Sequence, residues 1–352
     1  MSKFLNSELA KLEAYVPGEQ PQDKAYIKLN TNESPFAPSK NVLRAVNKNA
    51  AKRLRLYCDP ECKTLRKSLA DLYNVDIKNI FVSNGSDDIL NFAFLAFGEK
   101  GVLFPDITYG FYDVFANLHG LDYQTVPLLE DFTVDTTAFC GQNKLIVIAN
   151  PNAPTGITLS VGEIENIVKS NPESVVLIDE AYVDFGAESC IRLVEKYDNL
   201  LVCQTFSKSR SMAGARLGFA IANSAIIEDL EKIKYSTNPY NINTITQLAG
   251  IMAVCDNEYY MLNCKKIIKN RQYTQDELLK LGFSVLPSSA NFIFAKSDKI
   301  GGKDLYLKLK EKGVLIRHFD KERICEFNRI TIGSKKEMKI FISKVKEILG
   351  EL

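Results

Sequence analysis

Short apolar runs, separated by segments of helical period, set the limits on what this chain can fold into. They are IFVS (80–83), GVLFP (101–105), LIVIANP (145–151), VVLIDE (175–180), LLVCQTFS (200–207) and LGFAIA (217–222). Their hydrophobicity is continuous and not alternating, which marks strands covered on both faces, as in a parallel sheet. Helices are expected between them. Ser160 opens an S-V-G-E capping box with Glu163, predicting a helix to about Ser170. This alternation predicts an α/β fold: a large domain whose mostly parallel sheet is sandwiched by helices.

The texture changes towards the C-terminus. Residues 241–281 are helical in period, with a break near Asp256 and Asn257 and a C-cap at Leu281-Gly282. FSVLPSS, NFIFAK, VLIRHF and NRITIG then read as short strands, with helices over 303–312 and 335–349. Ser334 and Glu337 supply a capping box for the last helix. This part predicts a smaller α+β domain. The expected division is 28–256 for the large domain, and 1–27 with 257–352 for the small one. The opening MSKFLNSELAKLEAYV, with Glu8 and Glu13, reads as a short amphipathic helix and not a leader peptide.

Composition narrows the function. Lys and Arg number 44 against 43 Asp and Glu, a net charge of +1, which argues against a general nucleic-acid binder. No apolar run approaches the roughly 18–20 residues of a membrane span, so no membrane partner is expected. The 8 cysteines lack paired zinc spacing, Cys58 and Cys62 standing alone as C-x₃-C, and suit a reducing cytoplasm. With only His119 and His318, a metal site is not expected, and a Ser-His-Asp triad is poorly served. If the chain is an enzyme, another group must move protons.

In an open α/β sheet, ligands gather beyond the carboxyl ends of the strands. Those ends here carry Ser83-Asn84-Gly85-Ser86-Asp87, Asn150-Pro151-Asn152, Asp179-Glu180 and Thr205-x-Ser207-Lys208. No strand is followed by G-x-G-x-x-G, and no P-loop occurs, so dinucleotide and P-loop sites are excluded. The turn NGSDDIL (84–90) opens a helix whose free N–H groups could hold a phosphate. Alternatively, Ser86 and Asp87 merely cap that helix. Lys208 lies in TFSKSRSMAGARLGF (205–219), a small-residue turn with Arg216 eight residues on and no flanking acid.

Together these stretches resemble the pyridoxal-phosphate enzymes of the aspartate aminotransferase fold, and within them the histidinol-phosphate aminotransferases. The resemblance also rests on KLNTNESPFAPS (28–39), PDITYGFYDVFA (105–116), NPNAPTG (150–156), IDEAYVDF (178–185), SSANFIFA (288–295) and NRITIG (328–333). It implies pyridoxal 5'-phosphate as cofactor and a role for each matched residue. Lys208 would bond the cofactor aldehyde and shuttle the proton; Asp179 would pair with the ring nitrogen and Tyr182 with the ring oxygen. Tyr109 would stack on the ring, and Gly85, Ser86, Asp87, Thr205, Ser207 and Arg216 would surround the phosphate end. Tyr57, in RLYCDP, would cross a homodimer interface to the partner's phosphate.

The family pattern has Asn directly before Pro-Thr-Gly, its amide on the ring oxygen. Here that position is Ala153. Either Asn152 takes over through a different turn, or Tyr182 carries the contact alone. For the substrate, the resemblance implies Arg329 and Arg317 as an anion-gripping pair, with Tyr15, Asn32, Tyr240 and Asn291 beside them. The implied reaction interconverts imidazole-acetol phosphate with glutamate and histidinol phosphate with 2-oxoglutarate, in histidine biosynthesis. A threonine-phosphate decarboxylase or an aromatic amino-acid aminotransferase on the same scaffold is the alternative. A pyridoxal-phosphate-binding regulator would carry a fused DNA-binding domain, for which the roughly 27 residues before KLNTNE are too few.

Overall fold

The computed structural model describes residues 2–7 and 9–351; Glu8 lies outside them. After a two-residue strand, β1 (Ile27–Lys28), the apolar runs fold as β2 (Ile80–Ser83), β3 (Val102–Pro105), β5 (Leu145–Ala149), β6 (Val176–Asp179), β7 (Leu200–Thr205) and β8 (Gly218–Ala222). Every residue in these six runs is buried. One more strand, β4 (Tyr123–Val126), joins them from the polar stretch YQTV.

These strands form one sheet in the order β2-β8-β7-β6-β5-β3-β4. It is parallel except at β8, which runs antiparallel to both β2 and β7. Adjacent residues serve opposite faces, as strand geometry requires. Ile146, Ile148, Ile178 and Val202 pack under the helices Lys63–Tyr73, Val161–Ser170 and Thr244–Cys255. Val147, Leu177, Leu201 and Cys203 pack under Gly85–Phe97, Tyr112–Leu118 and Ser224–Thr237. The sheet is therefore covered on both sides, which is why its strands read as unbroken apolar runs.

The C-terminal part builds a second sheet from β9 (Phe283–Val285), β10 (Phe292–Ser297), β12 (Arg317–His318) and β13 (Asn328–Thr331), antiparallel in the order β12-β13-β10-β9. The run VLIRHF does not form one strand. It breaks at Ile316, so that β11 (Val314–Leu315) pairs with β1 in a separate parallel ribbon. The helices Asn257–Lys280 and Lys335–Gly350 cover this sheet through Ile267, Leu278, Phe341 and Val345. Both expected capping boxes form, at Ser160 with Glu163 and at Ser334 with Glu337.

The N-terminal helix does not form as expected. Among the described residues only a single 3-10 turn, Leu9–Lys11, is present, and residues 12–26 cross the surface without regular structure. Its apolar side chains find little to cover: Phe4 and Val16 are 85% and 72% exposed. A helix this short needs tertiary burial to persist, and this segment has little.

Candidate active site

The carboxyl ends of β5, β6 and β7 open into one cavity of about 230 Å³. Asp179, the last residue of β6, forms part of its wall. Its Oδ2 accepts from the Tyr112 hydroxyl at 3.0 Å and its Oδ1 from the Ala181 N–H at 3.1 Å. Burial outweighs both donors and pushes the carboxyl up to about 6. A carboxylate so short of compensation suits a cationic partner.

At the end of β7 the chain folds back on itself. The Ser207 N–H donates to Thr205 Oγ1 at 3.1 Å, and the Thr205 hydroxyl to Ser207 Oγ at 3.0 Å. This turn aims Lys208 into the cavity. Its Nζ lies 3.3 Å from the Thr31 carbonyl and 5.6 Å from the centre of the Tyr182 ring. Glu33 shares the cavity wall. Burial opposes its ionisation, but hydrogen bonds from Lys28 and Thr31, both 2.8 Å, hold its carboxyl below the usual range.

Opposite, the helix Gly85–Phe97 begins with an unusually close backbone approach. A Cβ on Gly218 would stand 2.5 Å from Gly85 C and Ser86 N, and one on Gly85 would stand 2.6 Å from Arg216 Nη2. Only glycine allows the strand, helix and guanidinium to meet there. Arg216 itself takes a left-handed backbone (φ 51°). Its Nη2 pairs with Asp87 Oδ2 at 2.7 Å, while the Tyr109 hydroxyl donates to Oδ1 at 2.9 Å. Asn84 is the N-cap and makes no side-chain capping bond. The capping alternative for Ser86 and Asp87 is thus not realised; both line the cavity.

Lys208, Asp179, Tyr182, Tyr109, Ser86, Asp87, Thr205, Ser207 and Arg216 all line this one cavity, with Gly85 holding Arg216 from behind. Tyr109 and Ala153 are shared with a larger adjoining hollow of about 760 Å³, whose wall includes Tyr15, Arg317 and Arg329. Arg317 and Arg329 are cross-strand partners on β12 and β13, and both guanidinium groups lie against Phe319, at 5.6 and 5.7 Å. Neither forms a salt bridge among the described residues. Arg317 instead donates to the Val16 and Pro17 carbonyls, tying down the segment in which Tyr15 stacks on Phe111 at 4.2 Å.

Other expected residues lie elsewhere. The Asn152 amide is spent inside the protein: Oδ1 accepts from the Thr108 hydroxyl, and Nδ2 donates to the Ile107 carbonyl and Thr155 Oγ1. It does not line the cavity, so the turn does not re-aim it as a substitute for the missing Asn. Asn32 is buried behind Tyr182 and faces neither hollow. Asn291, fully buried, donates to the Asn32 carbonyl at 2.9 Å. Tyr57 and Tyr240 stack on each other at 4.5 Å on the outer surface, away from this chain's own cavity. His119 and His318 do not contribute either; His119 Nε2 is 2.7 Å from Asn91 Oδ1.

Sequence reasoning passed over Tyr112 and Glu33. Tyr112 opens the helix Tyr112–Leu118, its N–H closes a turn on the Tyr109 carbonyl at 3.2 Å, and the two rings meet edge to face, 5.7 Å apart. The signal available in the sequence is the pair of tyrosines in YGFY. Among the described residues no cluster of potential ligands could hold a metal ion, and no helix is long and apolar enough to cross a membrane.

A buried carboxylate, a lysine and a glycine-tight anion cradle on one α/β sheet define a class. Residues 24–345 match the family model for aminotransferase class I and II, and the chain belongs to that family. The histidinol-phosphate aminotransferase of Brachyspira hyodysenteriae is 49% identical over 99% of both chains. The crystal structure of the histidinol-phosphate aminotransferase from Clostridium acetobutylicum superposes with a TM-score of 0.86 and 26% identity, covering 93% of this chain and 100% of that one. The Sinorhizobium meliloti enzyme of the same name, solved in complex with pyridoxal-5'-phosphate, shares the fold with a TM-score of 0.89 at 23% identity, covering 100% and 99%.

Proposed function

We propose that this chain is a pyridoxal-phosphate-dependent transaminase that moves an amino group between histidinol phosphate and 2-oxoglutarate, a step of histidine biosynthesis. The observation that carries this reading is the convergence of Lys208, Asp179 and the Ser86–Thr205–Ser207–Arg216 cradle on one cavity. The substrate follows from the 49% identical relative named for that phosphate ester.

The residues fit the cofactor. The cradle is shaped by Gly85 and Gly218, where any Cβ would collide, and it ends in a planar guanidinium suited to a phosphate. Asp179, held near 6 by burial, would gain most from a cationic ring nitrogen. When bound, pyridoxal phosphate supplies an aldehyde that bonds amines and a cationic ring that accepts the electron pair left by the departing Cα proton. Lys208 Nζ then serves as the base that takes that proton and returns it. Tyr182 would donate to the ring oxygen, and Tyr109 would cover one ring face.

Arg317 and Arg329 grip the anionic end of either substrate. Like charges on directly opposed strand positions are unfavourable, and among the described residues no carboxylate at salt-bridge distance offsets this pair, Glu19 attracting Arg317 only from further off. An incoming phosphate or carboxylate does so. Tyr15 closes over the same hollow.

A homodimer belongs to this reading. Leu54, Leu56 and Tyr57 are 55%, 56% and 83% exposed beside one another in sequence, an apolar surface suited to a second copy. Tyr57 then reaches the partner's cradle, and Tyr240 beside it the partner's substrate. We further assign 28–256 to a large cofactor domain, 1–27 with 257–352 to a small one, and the enzyme to the cytoplasm, which its free cysteines suit.

The test is formation of glutamate from L-histidinol phosphate and 2-oxoglutarate by the purified holoprotein. Turnover with this pair and none with phenylalanine as donor is the expected result. Release of carbon dioxide from threonine phosphate, without glutamate, would overturn it.

A further inference from the structure

Position 153 offers the cavity only a methyl group, and the neighbouring Asn152 amide is fully engaged elsewhere. The hydroxyl of Tyr182 is therefore the polar group this wall presents. Its ring is fixed edge-on against Phe292 at 5.0 Å, with Lys208 over its face. A phenol oxygen carries one proton and accepts on its remaining lone pairs, so what it accepts decides where its proton goes.

Asn32 Nδ2 lies 3.0 Å from Tyr182 Oη, the single hydrogen bond to that oxygen among the described residues. The amide's orientation is dictated by its other end. Thr331 Oγ1 accepts from the Asn32 backbone N–H at 3.0 Å, which leaves the threonine proton to be donated to Asn32 Oδ1, also at 3.0 Å. Oxygen therefore faces Thr331, and the NH₂ group must face Tyr182. The backbone supports the same geometry. Asn32 has φ 57°, a left-handed conformation that asparagine tolerates, and Asn291 holds its carbonyl. A buried and fully determined amide aimed at one hydroxyl is a device and not packing.

We propose that Asn32 is a positioning residue: by donating to Tyr182 Oη it turns the tyrosine proton into the cavity, towards the ring oxygen of the bound cofactor. It thereby does indirectly what an amide at position 153 would do by contact. Charged groups facing Tyr182 are Lys208 on its ring and Arg329 nearby, and neither hydrogen-bonds to its hydroxyl. The inference rests on the cofactor reading above.

The test is the absorption of the Lys208-bound cofactor followed against pH. A donor to the ring oxygen draws off negative charge there, so the proton held at the Lys208 nitrogen leaves at lower pH. Asn32→Gly keeps the left-handed backbone and removes the donor. The midpoint is expected to rise by about one pH unit, the effect of one charge-assisted hydrogen bond. Tyr182→Phe should raise it at least as much, and Asn32→Gly should add nothing in that background. Ala153→Asn, combined with Asn32→Gly, should recover most of the shift. Cofactor affinity, read by titrating the cofactor-free protein, should follow the same pattern.

An unchanged midpoint in Asn32→Gly, or an equal rise with and without the Tyr182 hydroxyl, would overturn the proposal. Should Asn32→Gly fail to fold, Thr331→Val frees the amide orientation and should give a smaller rise; no rise there refutes it equally. A wild-type protein that takes up no cofactor at Lys208 would instead sink the reading beneath, and this inference with it.

Discussion

The two hollows that meet at Tyr109 and Ala153 are built on opposite principles. The inner one is small, and its groups stand on strand ends and a helix start whose backbones nearly touch at Gly85 and Gly218. The outer one has more than three times the volume, and its wall draws on the second sheet, on the loop and helix that follow β3, and on an irregular N-terminal segment held by hydrogen bonds to carbonyls. A cofactor that stays through every cycle suits the rigid half. Two substrates that differ in shape but share an anionic end suit the looser half, with its arginine pair.

The largest expected effect breaks the inner half. Lys208→Ala should lower turnover by about 10⁴-fold, the upper range for loss of a positioned acid–base group, while leaving the thermal midpoint nearly unchanged. Steady-state rates and a melting curve check this together. Retained turnover would remove Lys208 from the chemistry. Next comes Arg216→Ala, which should weaken cofactor affinity by about 100-fold, as loss of a charge-assisted pair implies. The matching change in the outer half, Arg317→Ala, should leave cofactor affinity alone and raise KM for histidinol phosphate about tenfold or more. If Arg317→Ala weakens cofactor binding as much as Arg216→Ala does, the two halves are not separate.

Asp179 sharpens the comparison through stability. Its carboxyl titrates near 6 in the folded cofactor-free protein and near 3.8 when unfolded. Below about pH 4 both states are protonated and burial has no electrostatic cost. As pH rises from about 4 to 6 the unfolded chain ionises first, so stability falls, and the loss persists above 6. Its size is up to about 3 kcal/mol, at roughly 1.4 kcal/mol per pH unit. Asp179→Asn should therefore make the cofactor-free protein more stable at pH 7 while ending activity. Denaturant titrations at pH 4.5 and 7 measure it, and equal stability of variant and wild type at both would refute the burial argument.

Much of this was legible in the sequence, for identifiable reasons. Six strands betray themselves because both faces are covered, so no polar residue interrupts them. β4 escaped notice because it is an exposed edge, and YQTV carries no such signature. The reversed direction of β8 left no trace either, since a buried strand is apolar whichever way it runs. Within the site, residues at strand ends could be picked out because topology alone gathers them. Asn32 could not. Its neighbours in the network, Tyr182 and Thr331, lie 150 and 299 residues away, and only folding brings them together. Asn152 shows the converse: its place in the motif suggested a pocket group, yet Thr155 beside it and Ile107 and Thr108 from the loop after β3 engage its amide.

The smallest effect tests whether the inner half is tuned as well as rigid. Tyr112 is fully buried, and its hydroxyl has one visible task, donating to Asp179 Oδ2 at 3.0 Å. That bond favours the ionised carboxyl and works against burial. Tyr112→Phe preserves the ring packing against Phe94 and Phe104 and removes only the donor. Asp179 should then titrate higher, by about half to one unit, the reach of one hydrogen bond of about 1 kcal/mol. The pH-dependent fall in stability of the cofactor-free protein should begin at the same pH, set by the unfolded chain, but extend further upward. Cofactor affinity at pH 7 should drop by up to about twofold, because a larger share of Asp179 is protonated and cannot pair with a cationic ring. A Tyr112→Phe protein with an unshifted titration would mean that burial alone sets the charge of Asp179, and that the inner half is shaped only by its backbone.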